Sequence, residues 1–205
     1  MIREPAHHDP KTMYGDKVER IYRVLLSKKT PNPTWYRVAK EAGTSYGWAY
    51  KNLAELEEAG LIERYRVIDP KGMFSRWADR NDLRVFREYH IQNPDDVLEQ
   101  TSLYFAYTGY YAENLVGHYL FPRYREIYIR QEDAAAWHSH LSANGYVGRG
   151  NVQIILADPH VFFEQSMVEN KPVVSIQQLI VDLYRNGAEC AEAADLLVER
   201  EYKEV

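Results

Sequence analysis

Cysteine is nearly missing from this chain. Cys190 stands alone among 205 residues, which excludes an intrachain disulfide and any multi-cysteine zinc site. Long apolar runs are missing too, since none approaches the roughly 20 residues that span a bilayer. Met1 to Pro10 is too polar for a secretory signal. These absences point to a cytoplasmic protein without a membrane partner. There is no P-loop, no Gly-x-Gly-x-x-Gly and no Cys-His nucleophile pairing, so no cofactor, metal or catalytic residue is expected. His7-His8-Asp9 belongs to a terminal tail, where adjacent histidines rarely converge on a metal without further ligands. His138 and His140 are two apart on an expected helix and so face different ways.

Charge is unevenly divided along the chain. The formal total is −5, but residues 1 to 85 hold sixteen Lys or Arg against twelve Asp or Glu, and residues 86 to 205 hold nine against eighteen. A basic first half followed by an acidic second half suits a nucleic-acid-binding module joined to a different one. The basic surplus is modest, which implies weak, salt-sensitive binding by one copy and useful affinity from a homodimer on paired half-sites. The length allows two small cores. Seventeen tyrosines serve packing and hydrogen bonding alike, so their number does not decide function.

Helical periodicity organises the first half. A helix is expected from Asp16, as N-cap, through Val18, Ile21, Tyr22, Leu25 and Leu26. Pro33-Thr34 can start a second, with Trp35, Val38 and Ala39 as its inward stripe and Gly43 as its stop. A third runs from Thr44-Ser45-Tyr46 to Ala59-Gly60, with Ala49, Leu53 and Leu56 on its buried face and Ser45, Tyr46, Tyr50 and Lys51 elsewhere. Trp48, next to Ala49, is read as core edge. Alternation in Arg64-Tyr65-Arg66-Val67 predicts a strand, Asp69-Pro70-Lys71-Gly72 a type I turn, and Met73 to Trp77 a returning strand.

This order, with the exit Leu53-Ala54-Glu55-Leu56-Glu57-Glu58-Ala59-Gly60-Leu61-Ile62, resembles the winged-helix transcription factors. The resemblance implies that the helix beginning near Ser45 enters the major groove of double-stranded DNA, with Tyr46, Tyr50 and Lys51 beside it. It implies that Arg64, Arg66 and Lys71 meet phosphates from the wing.

In the second half, Asn93-Pro94 opens a short helix, Leu103 to Tyr107 a strand, and Tyr111 to Val116 a helix. A strand at Glu126 to Ile129, a helix at Glu132 to Asn144 and a strand at Asn151 to Leu156 follow. The tail from Ser175 supplies two helices interrupted at Asn186-Gly187. The expected class is α+β: an N-terminal winged helix-turn-helix and a small mixed α/β C-terminal domain. The expected boundaries are a mobile tail at 1–15, the DNA-binding domain at 16–90 and the second domain at 91–205.

Tyr107-Thr108-Gly109, Pro122-Arg123 before Ile127-Tyr128-Ile129, and Pro172-Val173-Val174-Ser175 with Gln178-Leu179 and Asp182-Leu183 resemble the AbiEi-type antitoxins of toxin-antitoxin systems. That resemblance implies a repressor of its own operon whose C-terminal domain binds a protein toxin. Two alternatives remain open: a ligand-sensing free-standing regulator, and a nucleotidyltransferase-like enzyme that modifies nucleic acid. The enzyme needs a Gly-Ser turn for phosphates and two carboxylates at alternate strand positions for metal ions. Tyr110 follows Thr108-Gly109, and Tyr128 stands two after Glu126, so the expectation is a binding module without catalysis.

Overall fold

The computed structural model describes residues 10–29 and 32–203. His7-His8-Asp9 lies outside the described residues, as does most of the expected tail. The chain divides into two compact units, 1–73 and 74–205. The boundary therefore falls well before the one expected at residue 90.

The first unit begins with helix α1, Pro10–Leu25, not with a cap at Asp16. Proline at a first helical position costs nothing, because its missing N–H would have no intrahelical partner there. Val18, Ile21, Tyr22 and Leu25 are buried, the spacing of one helix face. Helix α2, Trp35–Glu41, is capped by Thr34, whose hydroxyl accepts from the Arg37 amide. Val38 and Ala39 are buried as expected, whereas Trp35 is only half-buried. At the end of α2, Gly43 has a φ of 62°. Its amide bonds to the Lys40 carbonyl and the Thr44 amide to the Ala39 carbonyl, the paired bonds of a Schellman motif.

Helix α3, Tyr46–Glu58, starts from Ser45, whose side chain accepts from the Trp48 amide, and buries Ala49, Leu53 and Leu56. It ends in the same way as α2. Gly60 lies at φ 70°, and the amides of Gly60 and Leu61 return to the carbonyls of Glu57 and Leu56. Leu56 and Leu61, both buried, are the pair whose contact accompanies this motif.

The hairpin differs from expectation. Strands β1, Ile62–Glu63, and β2, Arg66–Val67, pair antiparallel with Ile62 opposite Val67 and Glu63 opposite Arg66. The turn is therefore Arg64-Tyr65, and no strand returns at Met73 to Trp77. That segment belongs to helix α4, Pro70–Ala78. The Asp69-Pro70 pair that suits a type I turn equally suits an N-cap and first helical position. The Asp69 carboxylate accepts from the Gly72 amide at 2.9 Å. Met73, Phe74 and Trp77 are all fully buried; their spacing is helical and would put Phe74 on the wrong face of a strand.

The second unit holds strand β3, Arg87–Ile91; helix α5, Pro94–Glu99; strand β4, Phe105–Thr108; and helix α6, Gly109–Val116. Strand β5, Arg125–Arg130, leads through a 3-10 turn to helix α7, Ala134–Ala143, and strand β6, Gly145–Val147. Then come β7, Val152–Ala157; β8, Ser166–Val168; β9, Lys171–Val173; α8, Ile176–Asn186; and α9, Glu189–Tyr202.

These strands form one mixed sheet in the order β6-β3-β7-β5-β4-β9-β8. The pairs β5/β7 and β4/β9 are parallel, the rest antiparallel. Register puts Thr108, Glu126 and Gln153 in one row, and Ala106, Tyr128 and Ile155 in the next, on one sheet face. Tyr107, Ile127 and Ile154 lie on the other. The second face carries α7, where Trp137 meets Phe105 edge-on at 5.4 Å between ring centres. The first carries α8, through the polar contacts described below. Helices on both faces bury the central strands, which explains why Ile127, Tyr128 and Ile129 are buried in succession.

Removing the cap should test the reassignment of Asp69. Asp69→Ala is expected to destabilise the chain by about 1 kcal/mol through loss of the α4 cap, measured by urea unfolding. A change of only a few tenths would argue against a cap at this position.

Candidate nucleic-acid interface and a buried carboxylate pair

Around α3 the first unit presents an exposed polar and aromatic face. Ser45, Tyr46, Tyr50 and Lys51 are all exposed, but the Ser45 hydroxyl is already engaged as the helix cap. Tyr50 packs edge-on against Trp35 at 4.9 Å, and the rings of Tyr46 and Tyr50 lie 6.3 Å apart. The aromatic surface is thus braced by α2. Trp48 is half-buried beside Ala49, consistent with a core-edge position.

The hairpin is tied to this face through its backbone. Arg64 has a φ of 57°, the positive value that a two-residue hairpin loop demands. Its amide donates to the Glu57 carboxylate at 2.7 Å, and its carbonyl accepts from the Trp35 indole N–H. Both polar backbone groups of the strained residue are therefore held by α3 and α2, leaving its side chain exposed. Arg66 is exposed on β2. Lys71 is not in a turn between two wing strands: it lies, exposed, in the first turn of α4. Trp35 and Glu57, which fix the hairpin, were missed because an inward tryptophan and a helix-surface glutamate give no sequence signal of that contact.

The second unit contains a different cluster, built on one face of β4 and β5 under α8. Glu126 is almost wholly buried. One carboxylate oxygen accepts from the Tyr110 amide at 2.7 Å and the other from the Asn186 side chain at 3.1 Å. Glu126 thus sits at the N-terminus of α6, where a negative charge is favoured by the unpaired amides and the helix dipole. Gly109, at φ 58°, permits this approach, since a Cβ there would collide with the carboxylate. The Thr108-Gly109 turn accommodates an internal carboxylate in the place where a phosphate turn would receive its ligand.

Asp182 of α8 is fully buried. It accepts from the Thr108 hydroxyl at 2.7 Å, the Tyr128 hydroxyl at 3.0 Å and the Gln178 amide at 2.8 Å. Arg185 lies 3.5 Å away. Tyr128 therefore donates to a carboxylate inside the fold. Asp182 was not anticipated as part of this cluster, and its i, i+4 relation to Gln178 is the one local signal that could have indicated it. Among the described residues, no group of three or more His, Cys, Asp or Glu side chains is placed to hold a metal ion, and no helix is long and apolar enough to cross a membrane.

Burial raises both carboxyls, Glu126 to about 7 against the lowering effect of its hydrogen bonds, and Asp182 to about 6 against the lowering effects of the Arg185 charge and then of its hydrogen bonds. Because these folded values exceed the ordinary 4.5 and 3.8, the folded state holds more protons across that interval. Their contribution to stability is full below the unfolded pKa and is lost as pH rises through about 4 to 7.

No protein-family model matches the chain, and the comparisons with curated proteins and with solved structures give no match either.

The carboxylate pair generates a pH test. Urea unfolding of the native chain and Glu126→Gln between pH 4 and 8 should show the native chain losing stability relative to the variant as pH rises. The relative change is on the order of 3 kcal/mol, from a shift of 4.5 to about 7. Parallel curves would contradict a buried carboxyl titrating in that window.

Proposed function

We propose that this chain is a sequence-specific DNA-binding transcriptional regulator in which residues 10–67 form a winged helix-turn-helix with a very short wing. Support comes from α2 and α3 joined through a glycine-stopped turn, with the outer face of α3 and the hairpin held together at Arg64. That backbone cross-link carries the reading, because a recognition helix and a wing must be fixed to each other to meet one duplex. On this reading α3 enters the major groove, Lys51 lies near its floor, and Arg64 and Arg66 approach phosphates. The favoured biological setting is a cytoplasmic autorepressor that binds operator half-sites as a homodimer.

The second unit is proposed as an antitoxin-like module that binds a protein toxin and catalyses nothing. Its carboxylates are engaged internally: Glu126 holds the start of α6, and Asp182 accepts from Thr108, Tyr128 and Gln178. A nucleotidyltransferase would need such groups free to hold metal ions at a phosphate. Incubation with labelled nucleoside triphosphates, magnesium or manganese, and RNA or protein acceptors is expected to give no incorporation. Incorporation abolished by Glu126→Gln would overturn the binding-module reading.

DNA binding itself is tested by fluorescence anisotropy on duplexes across a salt series. Arg64→Gly removes a cation and also relieves an L-residue held at positive φ, a conformation that costs roughly 1 to 2 kcal/mol. The expected result is a variant at least as stable as the native chain, with weaker binding and a salt slope reduced by about 1. Unchanged affinity and slope would remove Arg64 from the interface.

A further inference from the structure

Gly47 has no reason within the fold to be glycine. It lies in the first turn of α3 without a positive φ, and a Cβ added to it would meet nothing within 4 Å. Alanine would favour the helix there. A glycine that neither backbone conformation nor internal packing requires leaves room for something outside the chain to approach the backbone closely.

The residues flanking Gly47 define what that is. Tyr46 and Tyr50 are 52% and 50% exposed, and Trp35 props the ring of Tyr50 from behind. The exposed positions 45, 46, 47, 50 and 51 include no Arg, Asn or Gln, and Lys51 is the one side chain among them of a type that pairs with a guanine edge. Asn52, next along, is half-buried and donates to the Trp48 carbonyl. Apolar ring surface therefore dominates, with the positive charges of Lys51 on the helix and Arg64 and Arg66 on the hairpin complementing phosphates.

Resting on the DNA-binding reading above, we infer that Gly47, Tyr46 and Tyr50 form the specificity surface of α3 and read the 5-methyl groups of thymine in the major groove. Gly47 lets the helix backbone approach the base edges, and the two tyrosine rings cover the methyl groups. Thymine is the base that offers an apolar group there. Sequence preference would then come mainly from methyl burial, with little from bidentate hydrogen bonding.

The test uses the full chain and a randomised duplex library. Bound sequences are selected at low salt, then remade with deoxyuridine in place of thymidine, which deletes the methyl group and leaves base pairing intact. Selected duplexes should carry thymine at fixed positions, and each substituted position should weaken binding about fourfold, the value of one buried methyl. Tyr50→Ala and Tyr46→Ala should reduce that ratio towards one at separate positions, while Tyr50→Phe, which keeps the ring, preserves it. Gly47→Ala should raise the thermal midpoint by a few degrees, as expected for glycine to alanine in a helix, and weaken binding to the selected duplex. Retention of duplex with equal affinity for the thymidine and deoxyuridine forms overturns this inference and leaves DNA binding standing. Failure to retain any duplex overturns DNA binding itself, and this inference with it.

Discussion

The Glu126 carboxylate is the constraint around which the second unit is arranged. From β5 it reaches the Tyr110 amide in the first turn of α6 and the Asn186 side chain that closes α8, so one buried carboxyl joins a strand to two helices. Gly109 exists to admit it. Burying a carboxylate is costly unless its oxygens are satisfied, and here both are. Asp182, one helical turn before Asn186, satisfies the neighbouring hydroxyls of Thr108 and Tyr128 by the same means. Polar groups that would otherwise be unpaired between sheet and helix thereby define one position of α8 on the strands. A purely apolar interface would give α8 less to fix its register.

A corresponding role in the first unit belongs to a single backbone residue. Arg64 adopts a conformation that its side chain disfavours, and the structure supplies partners for both its amide and its carbonyl. With strands of two residues each, the hairpin has too few ladder bonds to be stable by itself. Its position is set from outside, by Glu57 and Trp35. Trp35 also supports Tyr50, so the same indole organises the hairpin backbone and the aromatic face of α3.

Much of this arrangement was legible where the signal is local. Gly43 and Gly60 stop their helices because left-handed backbone favours glycine, and Ala49, Leu53 and Leu56 are buried because their spacing repeats with the helix. Asn93-Pro94 opens α5 because proline suits a first helical position, and Asn186-Gly187 separates α8 from α9 with Gly187 at a φ of 68°. Errors arose where one local pattern serves two structures. Asp-Pro begins a turn or a helix, and only the burial of Met73, Phe74 and Trp77 together decides for the helix. Strands β3, β6, β8 and β9 escaped notice because short strands near a sheet edge carry little apolar periodicity. In the candidate sites, the exposed face of α3 follows from helical phase, whereas Glu57 bonding to Arg64 and Glu126 reaching Tyr110 depend on contacts distant in sequence.

Electrostatics and readout fit together on the proposed function. Residues 1–73 contain thirteen Lys or Arg against ten Asp or Glu, and residues 74–205 contain twelve against twenty. So small a basic surplus gives weak attraction to arbitrary duplex, and the acidic second unit opposes it further. A regulator confronts a vast excess of non-operator DNA, so the ratio of specific to non-specific affinity matters more than either alone. Weak phosphate attraction lowers the non-specific side of that ratio, and apolar contacts at base edges raise the specific side without adding charge. Because each methyl contact contributes little, one recognition helix would discriminate only modestly. Two copies bound to linked half-sites would combine their contacts, which is the physical reason for favouring a dimer on the operator.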